Sequence, residues 1–314
     1  MPAASDIAEE NRPRSKKMVM TRRIVICLLS FVLLPLSLKA KQPQPTPIST
    51  EQQQQFTYYW YAAKQAIEEE RYAQAYVLLE FCHAIKPDDP QTLYFLGVMY
   101  QGLNKHDEAK AFFEQAYNVQ HGNRSEDLLN HLLQIYMLRG EWKKALAMQD
   151  ELDKLNGYDA YSALTRYRIY ALQNEPKKAL QAIDKYLETD PTNLRFMLFR
   201  LELLEKTNAK QKVLYKQYED ILALDPGNLL VLNNYAYHLA THGGDMKRAE
   251  RMSEITIREQ PTNAVYLDTY GWILHLQGQD ELAKFYLERA LWNATDDQTK
   301  AEVTKHLEKV KGEK

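Results

Sequence analysis

Between Tyr266 and Leu291 the chain reads "YLDTYGWILHLQGQDELAKFYLERAL", with apolar residues three and four apart on either side of a polar break, "QGQD". That spacing predicts two short amphipathic helices joined by a tight turn. Neither helix can bury its whole apolar stripe against the other, so the pair calls for neighbours of the same kind.

The pattern recurs. Ala283 opens the second helix of this pair, and the equivalent positions upstream hold Ala249, Leu214, Ala179, Ala145, Ala109 and Ala75. From the N-terminal end the steps are 34, 36, 34, 35, 35 and 34 residues. Twelve residues beyond each stand Pro87, His121, Gly157, Pro191, Pro226, Pro261 and Thr295. Proline cannot continue a helical ladder and disfavours helix in the residue before it, so this second ruler marks helix ends. Seven repeats follow, near 56–89, 90–123, 126–159, 160–193, 195–228, 230–263 and 264–297. Residues 296–314 predict a capping helix and tail, on which Val303, Leu307 and Val310 form one apolar stripe facing repeat seven.

Repeat two, "LYFLGVMYQGLNKHDEAKAFFEQAY", and repeat seven share a small residue in the first helix (Gly97, Gly271). They also share an alanine in the second (Ala109, Ala283) and a bulky residue four further on (Phe113, Leu287). Two closely crossing helices need a small side chain at the contact and large ones beside it. Repeat one carries Ala63, Ala75 and Leu79 at these places, and repeat five breaks the pattern with Glu202 and Leu214, which leaves its helix register open. On these residues the chain resembles the tetratricopeptide repeat (TPR) family, over nearly all of 56–295. Repeats six and seven look most like exported TPR proteins of the Bacteroides group. The resemblance implies an all-α fold: a right-handed α-solenoid of about seven helix-turn-helix repeats with a C-terminal capping helix.

In that family the first helices line a concave groove in which ligands lie. Carried over residue by residue, the groove would be lined by Trp60 and Lys64, then Gln91, Tyr94 and Gln101, then Asn130 and Gln134. Tyr161 and Arg168, Asn234 and His238, and Asp268, Trp272 and His275 complete it, with Phe196 and Phe199 as further candidates from repeat five. Aromatics, amides and a few charges make the composition of a recognition surface. The basic clamp of chaperone-tail receptors is not evident.

Composition adds bounds. Only 11 glycines against 21 tyrosines in 314 residues suit a helical protein with short turns. Residues 1–40 hold seven basic and three acidic groups, which leaves 33 basic against 39 acidic in the remainder. A mildly acidic body offers no footprint for nucleic acid. The basic start precedes the 15-residue apolar run Ile24–Leu38, shorter than the roughly 20 residues of a spanning helix. Pro35 and Ala40 then fit a secretory signal peptide over residues 1–40, with Met18 or Met20 as alternative starts. An uncleaved inner-membrane anchor through residues 24–38 is the alternative, and the only route to a membrane. Cys27 precedes most of the apolar run and so marks no acylation site. Residues 41–55, "KQPQPTPISTEQQQQ", read as an extended Pro/Gln-rich linker.

Candidate chemistry is sparse. His238 and His242 lie four apart, on one helix face, and His275 and Asp268 could join them around a metal. No HExxH and no Cys/His cluster accompanies them. "HGGD" lacks the spaced glycines and lysine of a phosphate loop and reads as a long turn. Cys82 falls at a packing position. The expectation is therefore a non-catalytic scaffold without cofactor, in the periplasm or attached to the envelope, that binds a partner protein or extended peptide. The alternatives are an accessory of polysaccharide export or cell-wall and outer-membrane assembly, whose aromatics touch glycan, and an enzyme built on the three histidines.

Overall fold

The structure, a computed structural model, describes residues 47–122 and 124–312. The signal or anchor reading, the alternative starts, Cys27 and the first part of the linker lie outside them. Among the described residues there are fifteen α-helices and no strand. They pair as α1 (Thr50–Glu68) with α2 (Tyr72–Ile85), α3 (Pro90–Gly102) with α4 (His106–Val119), and α5 (Glu126–Leu138) with α6 (Trp142–Asn156). Next come α7 (Ala160–Leu172) with α8 (Pro176–Leu187), α9 (Leu194–Lys206) with α10 (Gln211–Leu224), and α11 (Leu229–Thr241) with α12 (Met246–Glu259). The last pair is α13 (Ala264–Leu276) with α14 (Asp280–Asn293), and α15 (Asp297–Val310) follows alone. Each second helix also packs on the next first helix, which makes the chain an α-solenoid.

Local chemistry punctuates each pair the same way. Every first helix has a side-chain N-cap: Ser49, Asp89, Ser125, Asp159, Asn193, Asn228 and Asn263 each accept a backbone N–H of the first turn. Such a cap contributes about 1 kcal/mol. Each first helix then ends with one left-handed residue: Glu70, Asn104, Gly140, Asn174, Asn208, Gly243 or Gly278. The next N–H bonds back to the helix, as in Lys105 N–H to Tyr100 O and Gln279 N–H to Leu274 O, and closes the turn as a Schellman motif. In repeat six Gly243 supplies the left-handed conformation, and a Cβ on Gly244 would lie 2.6 Å from Leu239 Cδ2. That accounts for both glycines of "HGGD".

The linker reading is corrected at its end. Ser49 and Gln52 form a complete capping box, so residues 50–55 are the first turns of α1 rather than extended chain.

These turns also settle the register of repeat five. In repeats one to four and seven three residues separate the paired helices, whereas four separate α9 from α10 and α11 from α12. Counted from the left-handed residue, the place of Gly97 and Gly271 is taken by Leu201 in α9 and Ala236 in α11. Glu202 therefore does not stand at the helix-crossing position, and Leu201 is buried there instead.

The close approach inferred from the small residues is present. A Cβ on Gly97 would lie 2.6 Å from the Phe113 ring, and one on Gly271 2.8 Å from Leu287 Cγ. Cys82 is fully buried beneath α1, and burial pushes its thiol up to about 11, which suits a packing residue rather than a nucleophile. Val303 and Leu307 of α15 bury against Leu267, Leu287 and Ala290, with Val310 packed at the margin. The capping helix thus takes the position of an eighth first helix.

Candidate functional site

A polar stretch of the first-helix face lies between repeats three and four. Asn130 and Gln134, one turn apart on α5, and Tyr161 at the start of α7 line one concavity of about 430 Å³ with Glu126, Asn156 and Gln149. Tyr161 is half exposed, at 51%. Gln149 comes from α6 and is 1% exposed. Its amide nitrogen donates to Asp153 Oδ1 at 2.8 Å and to Ser162 Oγ at 3.1 Å. Its carbonyl Oε1 is buried without a protein partner. A buried acceptor left without a donor costs about 1–3 kcal/mol.

A network beneath holds that wall. Ser162 Oγ donates to Asp153 Oδ1 at 2.7 Å, and Arg166 spans Asp150 and Asp153 at 2.6 Å each. Burial alone would raise the Asp153 carboxyl, but the bonds from Ser162, Arg166 and Gln149 hold it below its usual range.

Other expected groove residues are distributed less evenly. Lys64, Gln91 and Arg168 are exposed. Trp60 is half-buried between repeats, with ring centroids 5.7 Å from Phe95. Tyr94 is wedged among Phe95, Phe113 and His131 at 5.3–5.9 Å. Gln101 is half-buried with its carbonyl oxygen unpaired. Phe196 is 4% exposed against Tyr186, so it belongs to the core rather than the groove. Phe199 stacks on Tyr167 at 4.8 Å.

At the C-terminal end the face is already covered. Asp268 meets His306 Nδ1 of α15 at 2.9 Å, and both side chains are only 13% exposed. Trp272 stacks on the same imidazole with 4.3 Å between centroids, and is buried.

The longer turns move repeats five and six by one residue. The counterpart of Asn130 in α11 is the buried Asn233 and that of Gln134 is Tyr237, so Asn234 and His238 turn toward repeat five. In α9 the counterpart of Gln101 and His275 becomes Glu205. Sequence reasoning missed it, and Gln149 too. Their only signals were the extra turn residue and an amide at the place where Phe113 and Leu287 stand.

The three histidines do not converge on a metal. His238 and His242 stack at 5.3 Å, His242 Nδ1 lies 2.9 Å from Thr241 Oγ1, and His275 Nδ1 pairs with Asp280 Oδ1 at 2.7 Å. Among the described residues no group of three or more His, Cys, Asp or Glu is placed to hold one. No described helix is long and apolar enough to cross a membrane.

Stacked helix-turn-helix pairs with a polar, amide-bearing first-helix face define an α-solenoid of the kind that serves as a protein-interaction scaffold. Residues 66–126, from the end of α1 to the start of α5, match the model of the tetratricopeptide repeat, and in sequence and fold the chain resembles that family. Proteins of this kind are typically non-catalytic. A TPR repeat-containing protein of Pseudomonas aeruginosa is 31% identical over 160 residues, which is 50% of this chain but only 26% of that protein. Among solved structures, the C-terminal part of a TPR repeat-containing protein from Cytophaga hutchinsonii aligns with a TM-score of 0.53 and 16% identity. It covers 79% of this chain and 98% of its own. A TPR protein from Parabacteroides merdae gives a TM-score of 0.42 and 19% identity, over 81% of this chain and 99% of its own.

Proposed function

We propose that the protein is a non-catalytic scaffold of a bacterial envelope that holds a partner protein or extended peptide along its first helices. The observation that carries this reading is the concavity of Asn130, Gln134 and Tyr161, with the unpartnered Gln149 carbonyl in its wall. Asparagine and glutamine present a donor and an acceptor side by side, which matches the alternation of N–H and C=O along an extended backbone. Tyr161 adds a rigid surface of the kind that anchors interfaces. The basic residues before Ile24–Leu38, with Ala40 after it, support export to the periplasm.

Crosslinking in intact cells tests it. The full chain, tagged at its C-terminus, would be compared with an Asn130→Ala/Gln134→Ala/Tyr161→Ala variant of equal thermal stability. Partners recovered with the parent and lost from the variant are the expected result. Identical recovery from both would move binding off this face, and glycan retained by the parent alone would favour the assembly-accessory alternative.

A further inference from the structure

A second concavity, of about 240 Å³, lies where the end of α9 and the start of α10 face the end of α11. Glu205 lines it, at the place where the other first helices from α3 onward carry Gln101, Met137, Ala171, Ala240 and His275. It is the only carboxylate in that series. Its Oε1 accepts the hydroxyl of the fully buried Tyr218, and the Asn234 amide lies beside it.

Among the described residues Glu205 has no counter-ion. The charged group acting on it is another carboxylate, Glu202, and the α9 cations are engaged elsewhere: Lys206 on Glu202, Arg200 on Asp184 at 2.6 Å, and Arg195 over the Phe199 ring. Burial drives its carboxyl above the usual range. His238 in the opposite wall does not compensate, because burial and the neighbouring His242 push it down and leave it neutral at neutral pH. A half-buried carboxylate met only by the neutral Tyr218 and Asn234 side chains and unpaired in charge is unfavourable until a cation reaches it.

The rest of the wall indicates which cation. His238 and His242 are stacked with 26° between their planes, and Tyr215 adds a third ring. A guanidinium is flat, weakly hydrated and able to lie on such rings while its edge meets a carboxylate, whereas an ammonium holds its water more tightly.

We infer that this concavity receives one arginine side chain of the partner, its guanidinium on Glu205 and its plane against the His238–His242 rings. The assignment rests on the proposed first-helix binding and gives that partner a chemical requirement, an arginine two repeats away from the contacts at Asn130 and Tyr161.

The test is a titration of the full chain with N-acetyl-arginine amide, followed through the ring signals of isotopically labelled histidine. N-acetyl-citrulline amide, the neutral near-isostere, is the control. The arginine probe should shift His238 and His242 saturably and the citrulline probe should not. Glu205→Gln, which keeps an acceptor for Tyr218 and should melt no lower than the parent, should weaken the response by about tenfold, the loss of one charge-assisted bond. No saturable shift, equal shifts from both probes, or an unchanged response in Glu205→Gln would each overturn the assignment. The Asn130→Ala/Gln134→Ala/Tyr161→Ala variant separates the two readings. If it loses its partners while Glu205→Gln still answers the probe, the arginine pocket falls and the first-helix reading stands. If the probe response depends on Glu205 but partner recovery does not depend on the triple variant, the first-helix reading falls.

Discussion

His306 of the C-terminal helix lies flat on the indole of Trp272, with 19° between the ring planes, while its Nδ1 meets the Asp268 carboxylate at 2.9 Å. One imidazole therefore closes two positions of the last repeat, one by stacking and one by a polar bond. His306→Ala should destabilise the C-terminal end by about 1–2 kcal/mol. Fluorescence checks it: the emission of buried Trp272 should move to longer wavelength, a change that a Trp272→Phe background should abolish.

Gly97 and Phe113 cross so closely that a methyl group has no room, since the ring is fully buried and stacked on His131 at 4.9 Å. Gly97→Ala should cost about 1–3 kcal/mol as an overpacking defect. Adding Phe113→Leu should recover part of that loss, measured by urea denaturation. Without such recovery, crowding against Phe113 is not the reason for the glycine.

How far the sequence discloses this molecule depends on which property one asks for. Alanines at a step of 34 to 36 residues and the prolines beyond them place the helix pairs, because packing and helix termination are local and repeated. Gly97 and Gly271 disclose their neighbours, because only a close crossing requires them. The binding face is harder to see. One extra residue in the turns after α9 and α11 rotates the counting by one position, which hid Glu205 in α9 and, in α11, brought Asn234 and His238 forward in place of Asn233 and Tyr237. Asp268 and Trp272 have the right place on their helix, and the stripe of Val303, Leu307 and Val310 announces a cap on repeat seven, but that stripe does not show that His306 beside it meets both.

Among the described residues, Glu70 is the one left-handed turn residue that is neither asparagine nor glycine. The left-handed conformation costs about 1–2 kcal/mol for a residue with a Cβ, partly offset by the greater freedom of glycine in the unfolded chain. Glu70→Gly should therefore raise stability by about 0.5–1 kcal/mol. A lower melting temperature would mean that the Glu70 side chain supports the turn in some other way.

Two carboxylates give opposite responses to acid. Asp153 is held low, so its contribution is present above its unfolded value and is lost as pH falls through its lower folded one. Glu205 is held high, so the folded state takes up its proton first and gains as pH falls through that raised value. Between neutrality and the ordinary glutamate range, Glu205→Gln should flatten the stability profile relative to the parent. Asp153→Asn should instead flatten it below the ordinary aspartate range. Unchanged profiles in either variant would contradict the corresponding assignment.

Among the described residues α15 has the place of a first helix, packs on α13 and α14, and is followed by no second helix. Its attachment is a single interface, so it can detach without opening a cavity inside the remaining pairs, and its amides should exchange with solvent before those of α13. Detachment bares Asp268 and Trp272 together. A ligand reaching the seventh repeat must therefore compete with a segment tethered to it at a high local concentration, so occupancy there would be governed by the opening equilibrium of α15.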